Sequence, residues 1–295
     1  MVRLIHDSIP VITGPTASGK TESALALARV NRRIEIVSAD ASLLYRGFDI
    51  GTAKPSKEIL SKVPHHLIDI LEPKEQCSAA DYCTRARKAI REIVSRGNTP
   101  IVVGGTGLYI DALFDGLVQF DIGSEELAKA KERAKREIRE EGFDGMHERL
   151  REIDPALYLQ IRRERNPIRL ERAWMHYYAT GEPLGESRKR TPEPFEFKPE
   201  YHVLDVPRLE LWHRIEARVD EMLARGWLRE VQDLKHSGVT RDMPAMRAHG
   251  YRELSDVIQG TLSLQAARQS IIIQTRQYAK RQVTWMKKYE TRALS

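Results

Sequence analysis

The sequence predicts an α/β fold, a P-loop-type parallel sheet covered by helices and interrupted by a helical insertion domain. Three observations lead there. The run Gly14-Pro15-Thr16-Ala17-Ser18-Gly19-Lys20-Thr21 has the glycine spacing of a phosphate loop, and it stands between a strand-like and a helix-like segment. Strand-like and helical runs then alternate as far as Ile110, which predicts parallel strands joined by helices. After about Leu117 the composition becomes charge-dense and helical, and a strand-like run returns near Tyr201. Residues 1–116 and 201–295 are therefore expected to form the sheet-bearing core, and 117–200 the insertion.

The elements follow in order. Ile9 to Thr13 is short and mostly apolar, the pattern of a buried strand, and Glu22 to Arg29, rich in Ala and Leu, reads as a helix. Arg33 to Ser38 reads as a second strand and His66 to Ile70 as a short third. Ser78 and Asp81 have capping-box spacing, with Asp in place of the usual Glu, and open a helix to about Arg96 that Gly97 stops. Pro100 to Val103 is a buried strand ending in Gly104-Gly105-Thr106-Gly107, and a helix is expected from Leu108. In the insertion, Ser124 to Glu141 is an exposed helix ended by Gly142, with Glu125 and Lys129, and Glu132 and Arg136, paired in the favoured sense. Further helices are expected around 145–153 and 165–180, a loop over 185–194 and a strand at Tyr201 to Val206. From Arg208 onward the pattern is helical, and no internal repeat is present.

A chain of 295 residues is long enough to bury a full core without disulfides. Its hydrophobic content of 41% and charged content of 31% are those of a soluble globular protein. No apolar run approaches the roughly 20 residues of a membrane span. The N-terminus lacks the apolar stretch of a signal peptide, so the cytoplasm is the expected location. Two cysteines, Cys77 and Cys83, are too few for a disulfide framework or a four-thiolate zinc site and read as reduced structural thiols. The net charge of +6 is mildly basic, so the placement of the charge says more than its total.

The phosphate loop has a direct physical reading. Its glycines let the backbone wrap an anion, and the amides of the following helix start point at phosphate oxygens with the helix dipole behind them. Lys20 adds a full charge, and the Thr21 hydroxyl is placed to ligate Mg²⁺. Kinases, NTP hydrolases and transferases of diphosphate-activated groups all use such a loop. Asp40 follows a strand end, where a carboxylate can bind Mg²⁺, take a proton or simply cap the next turn. Thr106 lies in a glycine turn before a helix, which suits either a second polar group or an N-cap. In the helical stretch Thr275 to Trp285, Ile272, Thr275, Ala279, Val283 and Met286 form a core stripe, with Arg276, Lys280 and Lys287 on one flank. That row reads as a polyanion contact or a solvated face. Arg165, Arg169 and Arg172 share a helical face in the insertion, a second candidate RNA contact, with pairing to Glu164 and Glu171 as the alternative. His65 and His66 point to opposite faces of a strand, so a structural role outranks a metal site with Asp69.

Taken together, these motifs resemble the tRNA dimethylallyltransferase family, the tRNA isopentenyltransferases. The resemblance rests on Gly14 to Thr21, Ser38-Ala39-Asp40, Tyr45 to Pro55, Pro64 to Asp69, Gly104 to Tyr109, Gly250-Tyr251-Arg252-Glu253 and Thr275 to Trp285. The phosphate loop is generic. Asp49-Ile50-Gly51-Thr52-Ala53-Lys54-Pro55 and the Thr275 to Trp285 block are far more specific.

The resemblance implies that the five-carbon group of dimethylallyl diphosphate moves to the exocyclic amine of the adenosine 3′ of the tRNA anticodon, with diphosphate leaving. It implies that Gly14, Thr16, Ala17, Ser18, Gly19, Lys20, Thr21 and Arg218 hold the diphosphate, with Mg²⁺ on Thr21. Arg214, one turn from Arg218, competes for that place. Asp40 is implied as the base and Thr106 as the group that positions the amine. tRNA contacts are implied at Asp40, Ala41, Ser42, Leu43 and Thr106, at Ile168, Arg169, Leu170, Glu171 and Arg172, at Met246, Arg247, Gly250 and Tyr251, and at Arg276, Lys280 and Arg281. The insertion would be a tRNA-clamping domain.

The chain departs from the family pattern at Ala41, where Ser is usual, at Pro167, at Met175 and at His249, where an aliphatic residue is usual. Without the zinc-finger extension of eukaryotic relatives it resembles the bacterial type. A monomer with no obligate protein partner and no membrane association is expected. Competing readings are an isopentenyltransferase for free adenine nucleotides, a small-molecule P-loop kinase, and a non-catalytic tRNA-binding protein.

Overall fold

The computed structural model describes residues 8–117, 122–189 and 195–293. The chain divides into two compact units, Met1–Asp115 with Pro194–Ser295, and Gly116–Glu193.

The first unit is built on a five-stranded parallel sheet in the order β3-β2-β4-β1-β5. Strand β1 (Ser8–Thr13) leads through the phosphate loop to helix α1 (Lys20–Val30), and β2 (Ile34–Ser38) follows. After α2 (Lys57–Lys62) comes β3, which is only His65–His66. The sequence suggested a strand to Ile70. Leu67 and Asp69 instead take positive φ, at 63° and 55°, which ends the strand. Helix α3 (Ala79–Ser95) carries the expected capping box between Ser78 and Asp81. Strand β4 (Thr99–Gly104) and α4 (Gly107–Phe114) complete the first run.

In the second unit, α5 (Ser124–Ile153) is broken at Gly142, which takes φ 76° where the sequence placed a stop. α6 (Pro155–Glu164) was not foreseen. Its start is encoded all the same, because the Asp154 carboxylate accepts from the Leu157 amide and Pro155 occupies the first turn. α7 (Pro167–Thr180) is capped by Asn166, and the short α8 is Leu184–Ser187. These helices close over Met146, Leu150, Ile161, Leu170 and Trp174.

The chain returns to the sheet as β5 (Lys198–Val203), three residues earlier than the Tyr201 start that the sequence suggested. Lys198, Pro199 and Glu200 hid the strand. They are tolerated because β5 is an edge strand paired with β1 alone. Then follow α9 (Arg208–Ala224), α10 (Trp227–His236), a 3₁₀ turn at Pro244–Arg247, α11 (Tyr251–Ile258) and α12 (Leu264–Ala293).

Ile9, Val11, Val37, Ile90, Val102 and Ile110 form one core beneath the sheet. A separate core gathers Phe48, Trp227, Met246, Tyr251, Leu254 and Ile271. Cys77 and Cys83 are free thiols. Among the described residues, no helix is long and apolar enough to cross a membrane.

Candidate active site

β2, β4 and β1 are neighbours, so the loops at their carboxyl ends emerge side by side. Ligands of open parallel sheets bind at that end. The loops are stitched together. The Ala39 amide donates to Val103 O at 2.8 Å, the Thr106 amide to Ala39 O at 3.0 Å, and the Thr13 hydroxyl to Gly104 O at 2.9 Å. Gly104 is required by this contact, since a Cβ there would lie 2.2 Å from Ala39 O.

The phosphate loop bends through Ala17 (φ 63°) and Gly19 (φ 95°) into α1. Ser18 Oγ is buried without a hydrogen-bond partner, a hydroxyl facing a loop built for oxygen anions. Lys20 Nζ donates to Gly14 O at 2.9 Å and Pro15 O at 2.7 Å. Burial pushes its ammonium down to about 8 despite the attraction of Asp40, and Arg218 adds repulsion. Burial also lowers the proton affinity of Arg218, which Asp40 and Glu22 only partly counter. Arg218 therefore shares its surroundings with Lys20 and Asp40. Arg214 instead pairs with Glu210 at 2.5 Å on the exposed side of α9.

Asp40 caps its own turn, one of the readings left open by the sequence. Its Oδ1 accepts from the Ser42 amide at 2.9 Å and the Ser42 hydroxyl at 2.6 Å, which fixes the turn. Among the described residues Oδ2 makes no hydrogen bond, so one oxygen holds the carboxylate in place and the other remains available. Thr106 Oγ1 accepts from the Ala41 amide at 3.1 Å, and its side chain does not cap α4.

Gln282 and Tyr278 near this centre were not singled out in the sequence, and His249 was marked there only as a departure from the family pattern. Gln282 is buried, and its Oε1 accepts from the Thr16 amide at 2.8 Å while its Nε2 donates to Gly105 O at 2.8 Å. The Thr16 amide is thus spent on Gln282 and is not free for an anion. The Tyr278 hydroxyl lies near Thr106 and Gln282, and burial followed by Asp40 pushes it up to about 12. The His249 ring packs on Tyr278 with centroids 4.8 Å apart, and burial, then Arg281, lower its proton affinity. The buried stripe of α12 is rotated from the expected one. Ile271, Ile272, Ala279, Gln282, Met286 and Tyr289 face inward, Thr275 is half-buried, and Val283 is exposed.

The residues expected to contact tRNA fall in different settings. The side chains of Met246 and Tyr251 are buried in the second core, and Gly250 is buried with φ 91° where α11 begins. Tyr251 donates to Glu230 Oε1 at 2.7 Å. Glu230 also accepts from the Asp49 and Ile50 amides at 3.0 and 2.6 Å. Lys54, buried, joins Asp49 Oδ1 at 2.6 Å and Asp69. The specific Asp49 to Pro55 motif is therefore scaffold for the segment after Asp40. Leu170 is core of the helical unit. Arg165 ends α6 with φ 45°, so it does not share the α7 face, and it pairs with Asp144 at 3.0 Å. Arg169 pairs with Glu164 at 2.8 Å, and Ile168 and Arg172 are exposed. Arg276 pairs with Glu216 at 3.2 Å and lies over Trp212, whereas Arg247, Lys280 and Arg281 are exposed. An open groove runs along α12 between Gln277, Lys280, Arg281, Thr284, Trp285 and Lys288. His66 is held by Glu35 at 2.6 Å, and the described residues contain no cluster of His, Cys, Asp and Glu suited to a metal.

The family model described as IPP transferase matches residues 43–289. The chain belongs to the IPP transferase family. It is 42% identical over 281 residues to the tRNA dimethylallyltransferase of Geobacter sulfurreducens, covering 94% of this chain and 88% of that one. It is 46% identical over the same coverage to tRNA dimethylallyltransferase 1 of Pelobacter propionicus. Among solved structures it resembles the tRNA delta(2)-isopentenylpyrophosphate transferase of Staphylococcus epidermidis, at TM-score 0.65 and 36% identity, covering 95% of this chain and 89% of that one. It also resembles a eukaryotic dimethylallyltransferase acting on tRNA, at TM-score 0.77 and 26% identity, covering 95% of this chain and 69% of that one.

Proposed function

We propose that this IPP transferase moves the dimethylallyl group of dimethylallyl diphosphate to the exocyclic amine of the adenosine 3′ of the anticodon in tRNA, releasing diphosphate. The observation that carries the reading is the shared environment of Lys20, Arg218 and Asp40 at the carboxyl ends of adjacent strands. Two cations and the loop amides suit a diphosphate, and a carboxylate suits an amine that must lose a proton.

In the reaction, the amine nitrogen forms a bond to the allylic carbon as the carbon–oxygen bond to diphosphate breaks. Lys20 and Arg218 neutralise charge gathering on the departing oxygens. Oδ2 of Asp40 takes the proton from the amine, while Ser42 holds Oδ1 and so the orientation of the carboxylate. Thr106, fixed through Ala41, lines the acceptor side. The adenosine leaves its stack to enter. The hydroxyl donors here, Thr21 and the unpartnered Ser18, fit Mg²⁺, which Thr21 would hold. When bound, it would further neutralise the leaving group. Lys280, Arg281 and Arg247 supply RNA contacts in the core, and Arg172 with Ile168 in the helical unit. The enzyme works as a monomer in the cytoplasm.

The test is incubation with labelled dimethylallyl diphosphate and tRNA, AMP or no acceptor, without ATP. Label in tRNA alone is expected. Label in AMP, or a requirement for ATP with release of ADP, would overturn the assignment.

A further inference from the structure

We propose that Gln282 is a positioning residue that sets the spacing between the phosphate loop and the turn carrying Thr106. The inference rests on the function proposed above, in which those two loops hold the two reactants.

Gln282 is 6% exposed, yet both ends of its amide are satisfied across the site. One end takes the Thr16 amide and the other reaches Gly105 O, partners 266 and 177 residues away in sequence. A buried amide is costly unless every polar atom finds a partner, so this geometry is strongly determined. The fit is close, because a Cβ on Gly105 would lie 2.2 Å from Gln282 Nε2. One turn earlier on α12, the Tyr278 hydroxyl lies near both Gln282 and Thr106. A single helix face therefore grips the donor loop and the acceptor turn together.

The consequence falls on rate more than on affinity. Gln282 uses the Thr16 amide and a carbonyl, leaving Lys20, Arg218 and Ser18 to the anion. Transfer needs the reacting atoms about 3–3.5 Å apart, and a misplacement of about 1 Å can cost about 10²-fold. Loosening the strut should let both reactants bind out of register.

The test compares wild type with Gln282→Met, which keeps length and loses both hydrogen bonds, and Gln282→Glu, which keeps an acceptor for Thr16 but loses the donor to Gly105. Single-turnover transfer is measured at saturating dimethylallyl diphosphate and tRNA. Dissociation constants are measured for tRNA and for an unreactive diphosphate ester. Amide hydrogen exchange is followed over 14–19 and 104–107. Gln282→Met should transfer roughly 10- to 100-fold more slowly, with both dissociation constants within about threefold of wild type and faster exchange in both segments. Gln282→Glu should loosen 104–107 alone and lose less rate. Transfer by Gln282→Met within about threefold of wild type would overturn the proposal, whatever the exchange shows. If Gln282→Met melts below the assay temperature, Gln282→Glu decides by the same criterion. If wild type itself transfers nothing to tRNA, the functional assignment fails separately. The strut is then judged by exchange, and unchanged exchange in Gln282→Met refutes it.

Discussion

Lys20 should take up a proton when diphosphate binds. In the free protein, burial holds its ammonium near 8 instead of the ordinary 10.5. At about 1.4 kcal/mol for each tenfold change in proton affinity, that fall corresponds to about 3 kcal/mol against the charged form. A bound diphosphate places anionic oxygens at the ammonium and restores its affinity. At pH 8.5 roughly three quarters of the free protein carries neutral Lys20, so binding should draw in about 0.75 proton, against about 0.1 at pH 7. Affinity should therefore weaken as pH rises above about 8, approaching tenfold per pH unit.

The same shift has a stability consequence of opposite sense. Between about 8 and 10.5 the unfolded chain binds more protons at this site than the native one, so the contribution of Lys20 to stability rises with pH across that window. The assay is titration calorimetry with an unreactive diphosphate ester in buffers of different ionisation enthalpy, with Lys20→Met as the control. Uptake below about 0.1 proton at pH 8.5, or equal uptake in Lys20→Met, would refute the reasoning.

tRNA affinity should fall with salt, and Lys280→Ala and Arg281→Ala should each flatten the log–log slope by up to about one. Arg276→Ala should change it little, because its guanidinium is already held by Glu216 and Trp212; filter binding across a salt series measures all three. Glu230→Ala should destabilise the core by about 1–3 kcal/mol in urea unfolding, since it strands the Asp49 and Ile50 amides and the Tyr251 hydroxyl. A change under about 0.5 kcal/mol would show that the Asp49 to Pro55 segment needs no such anchor.

Local chemistry made much of the core legible. The phosphate loop, the strand before it, the Ser78–Asp81 capping box and the stop at Gly142 are each written in a few adjacent residues, and each is observed. What escaped depends on distant partners. β3 shortens because Leu67 and Asp69 adopt left-handed backbone while Asp69 meets Lys54, a contact no periodicity announces. Pro199 concealed β5 because its tolerance depends on an edge position set by topology.

At the proposed site, the motifs nominate Asp40, Thr106, Lys20 and Arg218, and the structure places Arg218, not Arg214, in the electrostatic surroundings of Asp40. The bridging role of Gln282 was invisible for a physical reason. A glutamine on a helix reads as solvent-facing until both its partners are known, and they lie in loops far away in sequence. Met246, Tyr251 and Leu170 show the converse, since their side chains are buried in the cores at positions nominated for RNA contact.

The most direct test of the account is single-turnover transfer by Asp40→Asn at saturating tRNA and dimethylallyl diphosphate, with both substrates' binding measured separately. Asparagine preserves size and the acceptor that Ser42 holds, but it takes no proton at neutral pH. The account predicts a loss of about 10²–10⁴-fold in rate with both dissociation constants nearly unchanged. Turnover within about threefold of wild type, a difference of about 0.7 kcal/mol, would contradict it and leave Asp40 as the cap of its own turn.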